Sequence, residues 1–181
     1  TLAALHGCYK MESVGKTWMA AAGMQESRED HAAACVLLGL DICRAIATIR
    51  TREGLQAINV QVGINTGAVV SGVVGQKKPQ FCLFGDAVNM AARMQSNSSP
   101  GRVLVSSSTF DRIKWDFDVE HEKVDITSAQ KVIKRTDCYF VLGPSDRRHA
   151  ASGGSSWTDT ARASHMHSMS GKAIETETPY A

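Results

Sequence analysis

Three side chains that can bind a ligand lie close together in residues 80–94. Residues 81–84 form a short apolar run that predicts a buried strand, and this run carries the thiol of Cys82. A helix is predicted to follow, with the amide of Asn89 and the guanidinium of Arg93. Because these two residues are four apart, they lie on one helical face, one turn from each other. The sequence therefore brings a thiol, an amide and a guanidinium to one strand-to-helix turn.

The turn itself has the residues that such a connection requires. Gly85 allows the chain to change direction, and Asp86 is predicted as the N-cap of a helix that starts at Ala87. Taken singly, Cys82 is explained better as a core thiol and Arg93 as one side of a surface salt bridge. Their combination is what indicates a ligand site.

The other elements follow from the spacing of apolar residues. This spacing predicts strands over 9–14, 17–22, 58–64, 68–74, 102–105, 115–119 and 138–142. It predicts helices over 27–50, with Ser27 and Asp30 as a weak capping box, and over 106–113. The order of these elements indicates an α+β fold in which helices pack on an antiparallel sheet.

Parts of this assignment depend on turns. Residues 15–16 predict a tight hairpin turn between the first two strands, and residues 65–67 predict a turn that joins strands 58–64 and 68–74 in a second hairpin. Four glycines in this region match no phosphate-loop spacing, so they are predicted as turn or bulge residues: Gly63, Gly67, Gly72 and Gly75. Residues 2–9 and 120–137 have no clear pattern.

Composition limits the classes of function. The 181 residues begin at Thr1 without a Met, so we expect a fragment of a longer protein. A net charge of +2 indicates no nucleic-acid partner, and no apolar run reaches the roughly 18 residues of a membrane span, so this fragment should not contact a membrane itself. The five cysteines form no CxxC pair, which favours reduced thiols in the cytoplasm.

Residues 144–181 differ in composition from the rest of the chain. They are rich in Ser, Gly, Thr, His and Met and have almost no aliphatic pattern. Such a segment cannot bury enough apolar surface to offset the entropy of ordering, so we predict a disordered tail. The predicted folded domain therefore spans residues 1–143.

Residues 61–106 carry a motif, Q-F-C-L-F-G-D-A-V-N-M-A-A-R-M, that closely resembles the catalytic domain of class III nucleotidyl cyclases. The hairpin of residues 9–23 matches the same family, and the resemblance extends over residues 9–143. It implies a ferredoxin-like cyclase fold whose N-terminal strand and helix are missing from this chain. It also implies a dimer that binds a nucleoside triphosphate and two metal ions at its interface, often as the cytoplasmic part of an integral membrane protein.

The resemblance assigns roles to four residues of this sequence. Arg93 would contact the α-phosphate, for which a planar, permanently charged guanidinium is suited, and Asn89 would orient the ribose. Glu12 and Cys82 occupy the two positions that select the base. A carboxylate accepts hydrogen bonds from the N1–H and 2-amino groups of guanine, and a thiol can donate weakly to O6, so the resemblance favours GTP over ATP.

The sequence departs from the family at the metal ligands. Of the family's two metal-binding aspartates, the first belongs to a strand expected before Thr1, and the second should follow Gly15, where this chain has Lys16. An ammonium group cannot ligate a cation. The resemblance is therefore to the second half of a cyclase built from two unlike domains, in which the partner domain holds the two Mg²⁺ or Mn²⁺ ions.

The lysine for the terminal phosphates is ambiguous. Counting back from Tyr139 places Lys131 at the family position, but the glycines that normally surround it are absent, and Lys134 is a rival. A solvated basic loop is an equally good interpretation of this segment.

Two functions from different classes remain open at this stage. The first is the base-binding half of a guanylate cyclase, which converts GTP to cyclic GMP and pyrophosphate together with a metal-binding partner domain. The second is an inactive cyclase-like domain for dimerisation or regulation. Lys16 favours the second function, whereas Glu12, Cys82, Asn89 and Arg93 favour the first.

Overall fold

A computed structural model describes residues 1–24, 27–49, 58–128 and 131–145. For residues 12–14, 126–128 and 131–134 it describes the backbone alone. All of these residues lie in one compact unit, Thr1–Arg147. The tail predicted over residues 144–181 lies outside the described residues from 146 onward, so its disorder stays a prediction.

The described residues form four helices and eight strands. In chain order these are α1 (Leu2–Leu5), β1 (Tyr9–Val14), β2 (Thr17–Ala21), α2 (His31–Ala47), β3 (Val62–Ile64), β4 (Val70–Val74), β5 (Gln80–Phe84), α3 (Asp86–Asn97), β6 (Val103–Ser106), α4 (Ser107–Ile113), β7 (Phe117–Ser128) and β8 (Lys131–Pro144). They confirm the predicted α+β class, and β1 and β2 form the expected antiparallel hairpin.

The core lies on both faces of a four-stranded sheet with the strand order β3-β6-β8-β7. Successive side chains of β6 point to opposite faces. Leu104 therefore packs with Met94 of α3 in one cluster, while Val103 lies against Gly39 of α2. Because both faces of β6 are covered, it appears in the sequence as a continuous apolar run without alternation.

The predicted hairpin of residues 58–64 and 68–74 is wrong. Instead, β3 pairs in parallel with β6, and β4 pairs antiparallel with β5. The sheet is therefore mixed, with one parallel pair beside the antiparallel ones. Apolar alternation identifies a strand but carries no information about its partner, and the buried strand β3 belongs to the core whereas β4 is largely exposed.

Residues 120–128 and 131–137, which had no clear pattern in the sequence, belong to the long antiparallel pair of β7 and β8. Much of the pair is polar. His121 Nε2 lies 2.8 Å from a carboxylate oxygen of Asp137, and Arg135 Nε lies 3.6 Å from one of Asp125. Cross-strand polar pairs alternate with few buried side chains here, Val124 among them, so the sequence offers only weak hydrophobic alternation.

Helix α2 is shorter than predicted, and its predicted capping box is absent. Asp30 is the N-cap without a side-chain cap hydrogen bond. Its carboxylate instead accepts two hydrogen bonds from Arg28, from Nε at 2.6 Å and Nη2 at 2.7 Å. A guanidinium competes effectively for a carboxylate because it donates two parallel hydrogen bonds. This pair also lowers the pKa of Asp30, chiefly through the hydrogen bond.

Helix α3 is held against β3 by the absence of a side chain at Gly63. A Cβ atom there would lie only 2.5 Å from the Cα atom of Gln95 and from the carbonyl carbon of Met94. Gly63 is therefore a close-packing residue within a strand, and its predicted role in a turn or bulge is wrong. A glycine in a turn and a glycine at a close contact look the same in the sequence. Only the element that packs against the glycine distinguishes the two roles.

Substitution of Gly63 tests this contact. We expect Gly63→Ala to lower the free energy of unfolding by roughly 1–3 kcal/mol or more, because the new methyl group forces the backbone of α3 away from the sheet. Urea unfolding followed by circular dichroism measures the change. Gly143→Ala is the matched control, since a Cβ there meets no atom within 4 Å. Equal midpoints for the two variants would contradict the assignment.

Candidate active site

The thiol of Cys82 lies on the β4–β5 hairpin, where the register places Cys82 opposite Gly72. Cys82 is half-buried, and its Sγ lies 3.7 Å from the carbonyl oxygen of Gln80. The next residue, Leu83, is buried and anchors the strand. The hairpin therefore presents Cys82 at a surface rather than within the core.

The turn after β5 is built on Gly85, with φ 133° and ψ 167°. Such a positive φ is disfavoured for any residue with a side chain. Gly85 is the N-cap of α3, and Asp86 is the first residue of the helix. No side chain makes a cap hydrogen bond at this end of α3. The predicted N-cap role of Asp86 is therefore wrong by one position, because the backbone conformation of the cap requires glycine.

Helix α3 directs Asn89 and Arg93 away from the core, since Met94 is fully buried and Met90 packs against the same cluster. Asn89 is exposed and Arg93 is half-buried. Within the described part of the chain, neither side chain has a hydrogen bond or an ion pair. The salt bridge that would have explained Arg93 as an ordinary surface residue is thus absent from that part of the structure.

Asn65 ties the start of α3 to the sheet. Its Nδ2 donates to the carbonyl oxygen of Ala87 at 3.1 Å. Its Oδ1 accepts hydrogen bonds from the hydroxyl groups of Ser106 at 2.7 Å and Ser108 at 3.0 Å. The sequence predicted only a turn at this position, so this positioning role was missed. A polar residue directly after an apolar strand was the available signal, but its partners are distant in sequence.

An open cleft of about 440 Å³ lies at the start of α3. It is lined by residues 65–68 together with Asp86, Ala87 and Met90. Cys82, Asn89 and Arg93 are not among its lining residues. The cleft therefore does not join the three candidate residues into one pocket.

Glu12 lies on β1, and its side chain is outside the described residues. The backbone of β1 does lie beside β5, the strand of Cys82. Tyr9 of β1 and Phe81 of β5 form an edge-to-face pair with ring centroids 6.4 Å apart. The structure thus brings the two strands of the predicted base-reading residues together, while the position of the Glu12 carboxylate stays a prediction.

The start of β1 is held by a cluster of polar and thiol side chains. His6 Nε2 lies 2.8 Å from a carboxylate oxygen of Asp41, and Arg28 Nη1 donates to the carbonyl oxygen of Gly7 at 3.2 Å. The hydrogen bond with Cys35 and burial both raise the pKa of the Cys8 thiol. Cys8 is therefore a neutral packing residue that fixes the strand before Glu12.

The two predicted lysine positions differ in what the structure describes. Lys16 occupies the exposed turn between β1 and β2, directly after Gly15. Lys131 is the first residue of β8, where it pairs with Ser128, but its side chain and that of Lys134 lie outside the described residues. The choice between Lys131 and Lys134 therefore stays open.

The described side chains do not form a metal site. In the described ranges, no group of three or more His, Cys, Asp or Glu side chains is placed to hold a metal ion. The β1–β2 turn carries the ammonium of Lys16 where a carboxylate would be needed. None of the helices in the described part of the chain has the length and hydropathy of a membrane span.

Comparisons with known proteins identify the family of the domain. The family model of the adenylate and guanylate cyclase catalytic domain matches residues 1–143. One similar solved structure is the guanylate cyclase domain of RhGC from Catenaria anguillulae in complex with GTP. It is 34% identical to this chain with a TM-score of 0.69, and the aligned part covers 80% of this chain and 77% of the RhGC chain. A dimeric guanylyl cyclase domain of RhoGC from Blastocladiella emersonii is 32% identical with a TM-score of 0.67, covering 80% and 76%.

The curated relatives are much longer proteins. Retinal guanylyl cyclase 1 from Homo sapiens is 41% identical over 106 residues, which are 58% of this chain and 10% of that protein. The chain therefore matches about a tenth of this relative's length. The family match, the fold and the strand-to-helix motif lead to one conclusion: the chain belongs to the adenylate and guanylate cyclase catalytic domain family.

Proposed function

We propose that this chain is the guanine-binding half of a guanylate cyclase and converts GTP to cyclic GMP and pyrophosphate together with a partner cyclase domain. The observation that carries the proposal is the pair of Asn89 and Arg93, which lie one turn apart on α3 without any partner among the described residues. Both side chains point away from the core, and no described side chain occupies either of them. These two are available for a nucleotide.

Each residue has a distinct role in the proposed reaction. The 3′-hydroxyl oxygen of GTP forms a bond to the α-phosphorus, the bond to the bridging oxygen breaks, and pyrophosphate leaves with its electron pair. Arg93 stabilises the negative charge that develops on the α-phosphate, and Asn89 orients the ribose so that the hydroxyl group is aligned for attack. The hydroxyl proton passes to solvent.

Base recognition is assigned to Glu12 and Cys82. The contact between β1 and β5 supports this assignment, because it brings the backbones of the two strands together. The carboxylate accepts hydrogen bonds from the donor edge of guanine, which adenine lacks. GTP is also the nucleotide bound in the related domain from Catenaria anguillulae.

A partner domain is proposed for two reasons. First, the family generally uses Mg²⁺ or Mn²⁺, and Lys16 stands where this chain would need a carboxylate. Second, the β4–β5 hairpin exposes apolar side chains: Val70 is 70% exposed, Val73 68% and Phe84 48%. Val70 and Phe84 form a cross-strand pair on one face and Val73 lies on the other, and exposed apolar surface of this kind indicates an interaction site. We infer that the partner covers this hairpin and holds the two metal ions.

The alternative function is an inactive dimerisation or regulatory domain. Lys16 and the exposed hairpin are compatible with it, since a regulatory domain needs an interface but no metal. It assigns no role, however, to Asn89 and Arg93, which lie one turn apart on α3. A cytoplasmic location, and the attachment of the whole protein to a membrane, stay predictions from the free thiols and the family resemblance.

Reconstitution with a partner tests the proposed function. The partner is a cyclase domain that carries both metal-binding aspartates but has its own equivalent of Arg93 replaced, so that only the mixed site is complete. We expect no cyclic GMP from either chain alone with GTP and Mn²⁺, and turnover from the mixture. A mixture that binds GTP but makes no cyclic GMP would favour the regulatory alternative.

Arg93→Ala in the same mixture tests the catalytic assignment. We expect kcat to fall by about 10²–10³-fold, the usual effect of removing one preorganised donor from a transition state. Arg44→Ala is the matched control, because Arg44 forms only an exposed ion pair with Asp41 at 3.0 Å, and it should leave kcat unchanged. Full activity of Arg93→Ala would show that the assignment is wrong.

Exchange of the base-reading residues tests specificity. We expect Glu12→Lys combined with Cys82→Asp to shift the ratio of kcat/KM for GTP over ATP toward ATP, because the pair then offers a donor and an acceptor that suit adenine. Cys82→Ala alone should weaken discrimination without creating a preference for ATP. An unchanged ratio in the double variant would overturn the assignment of the base pocket.

A further inference from the structure

Gly72 lies in the middle of β4, directly opposite Cys82 in the antiparallel register of the β4–β5 hairpin. Directly opposite residues of an antiparallel pair share one face of the hairpin, with Cβ atoms about 4.5–5.5 Å apart. The face that carries the thiol of Cys82 therefore has no side chain at the nearest cross-strand position.

Neither the backbone nor the packing of this chain requires glycine there. Gly72 is not among the glycines with a positive φ, so its backbone conformation is open to other residues. A Cβ atom at Gly72 would meet no described atom within 4 Å, in contrast to Gly63, where the backbone of α3 blocks it. Glycine inside a strand weakens the strand, and it commonly marks a place where a ligand or another backbone approaches closely.

The residues on either side of Gly72 define a gap. Val70 and Val74 lie two positions away on the same face, and they are 70% and 52% exposed. Their cross-strand partners are Phe84 and Gln80. The face is thus an exposed apolar row that is interrupted at one position, and the thiol of Cys82 lies beside the interruption.

The chemistry of this gap suits the edge of a flat aromatic base. Val70 and Val74 bound it along β4, and the polar groups on the same face are the thiol of Cys82, a weak donor, and the amide of Gln80. A base that enters beside Cys82 must pass over the backbone of Gly72, and a methyl group at that position would occupy part of the same space.

We propose that Gly72 is a specificity-determining residue, which admits the purine ring to contact with Cys82. The inference rests on the proposed binding of GTP and deepens it by one residue. Gly72 makes no polar contact itself; it acts by leaving space. A larger residue at this position excludes the base without altering the groups that bind ribose and phosphate.

The test uses Gly72→Ala and Gly72→Val in the full chain, mixed with the metal-binding partner. We expect KM for GTP to rise several-fold for Gly72→Ala and at least tenfold for Gly72→Val, because added volume in a close contact is destabilising. The inhibition constant of inorganic tripolyphosphate, which has no base, should stay unchanged. Ser71→Thr is the matched control, since it adds one methyl group to the opposite face and should leave KM unchanged.

Folding and assembly are measured on the same variants. Both Gly72 variants should have a urea midpoint equal to that of the wild type or higher. No described atom contacts the added group, and a chain with Ala or Val at this position loses less conformational entropy on folding than one with Gly. Sedimentation velocity should show unchanged association with the partner. The contrary result is a variant that binds the partner more weakly and yet keeps the wild-type KM for GTP when the partner is saturating. That result would show that Gly72 contacts the partner rather than the base, and it would overturn the proposal.

Failure of the proposed function can be distinguished from failure of this inference. If the wild-type mixture makes no cyclic GMP but calorimetric titration shows GTP binding, the variants should still lose affinity for GTP and keep affinity for tripolyphosphate. If the wild-type mixture is active and both variants have wild-type KM, the proposed function stands and the role of Gly72 is wrong. Equal loss of affinity for both probes also overturns it.

Discussion

The close approach of α3 to β3 at Gly63 determines where the candidate site lies. A helix normally packs on a sheet through its side chains. Here the backbone of α3 reaches β3 directly, because Gly63 has no side chain. This contact fixes the rotation of α3, so Met94 enters the core while Asn89 and Arg93 turn outward. Asn65 adds a polar anchor at the start of the same helix. The reactive groups therefore stand on a rigid element rather than on a loop.

The arginines of the described part of the chain differ in whether they have a partner. Arg28 is engaged by Asp30 and Arg102 by Glu120, and the guanidinium of Arg102 also lies 3.9 Å from the ring centroid of Phe140. Arg93 has no such partner in the described part of the chain. Its guanidinium is half-buried. In our proposal its partner is the α-phosphate of the nucleotide.

The β4–β5 hairpin also has side chains without partners in the described part of the chain, and these are apolar. It forms its own two-stranded sheet, and apolar side chains are exposed on both of its faces. The register puts Cys82 opposite Gly72 on one of these faces. An exposed apolar surface, an unpaired guanidinium and the lysine at the β1–β2 turn have a common explanation in our proposal: this chain is one part of a composite site.

The sequence alone determined the strand-to-helix turn and the side chains it carries, because the apolar run of β5, the glycine at 85 and the four-residue spacing of Asn89 and Arg93 are local signals. It also determined the family, the α+β class and the departure at Lys16. Only the tertiary structure decided the parallel pairing of β3 with β6, the role of Asn65 and the difference between Gly63 and Gly72. The reason is physical: a glycine, a polar residue or a strand shows its own conformational preference in sequence, whereas its partner is chosen by packing between segments far apart in the chain.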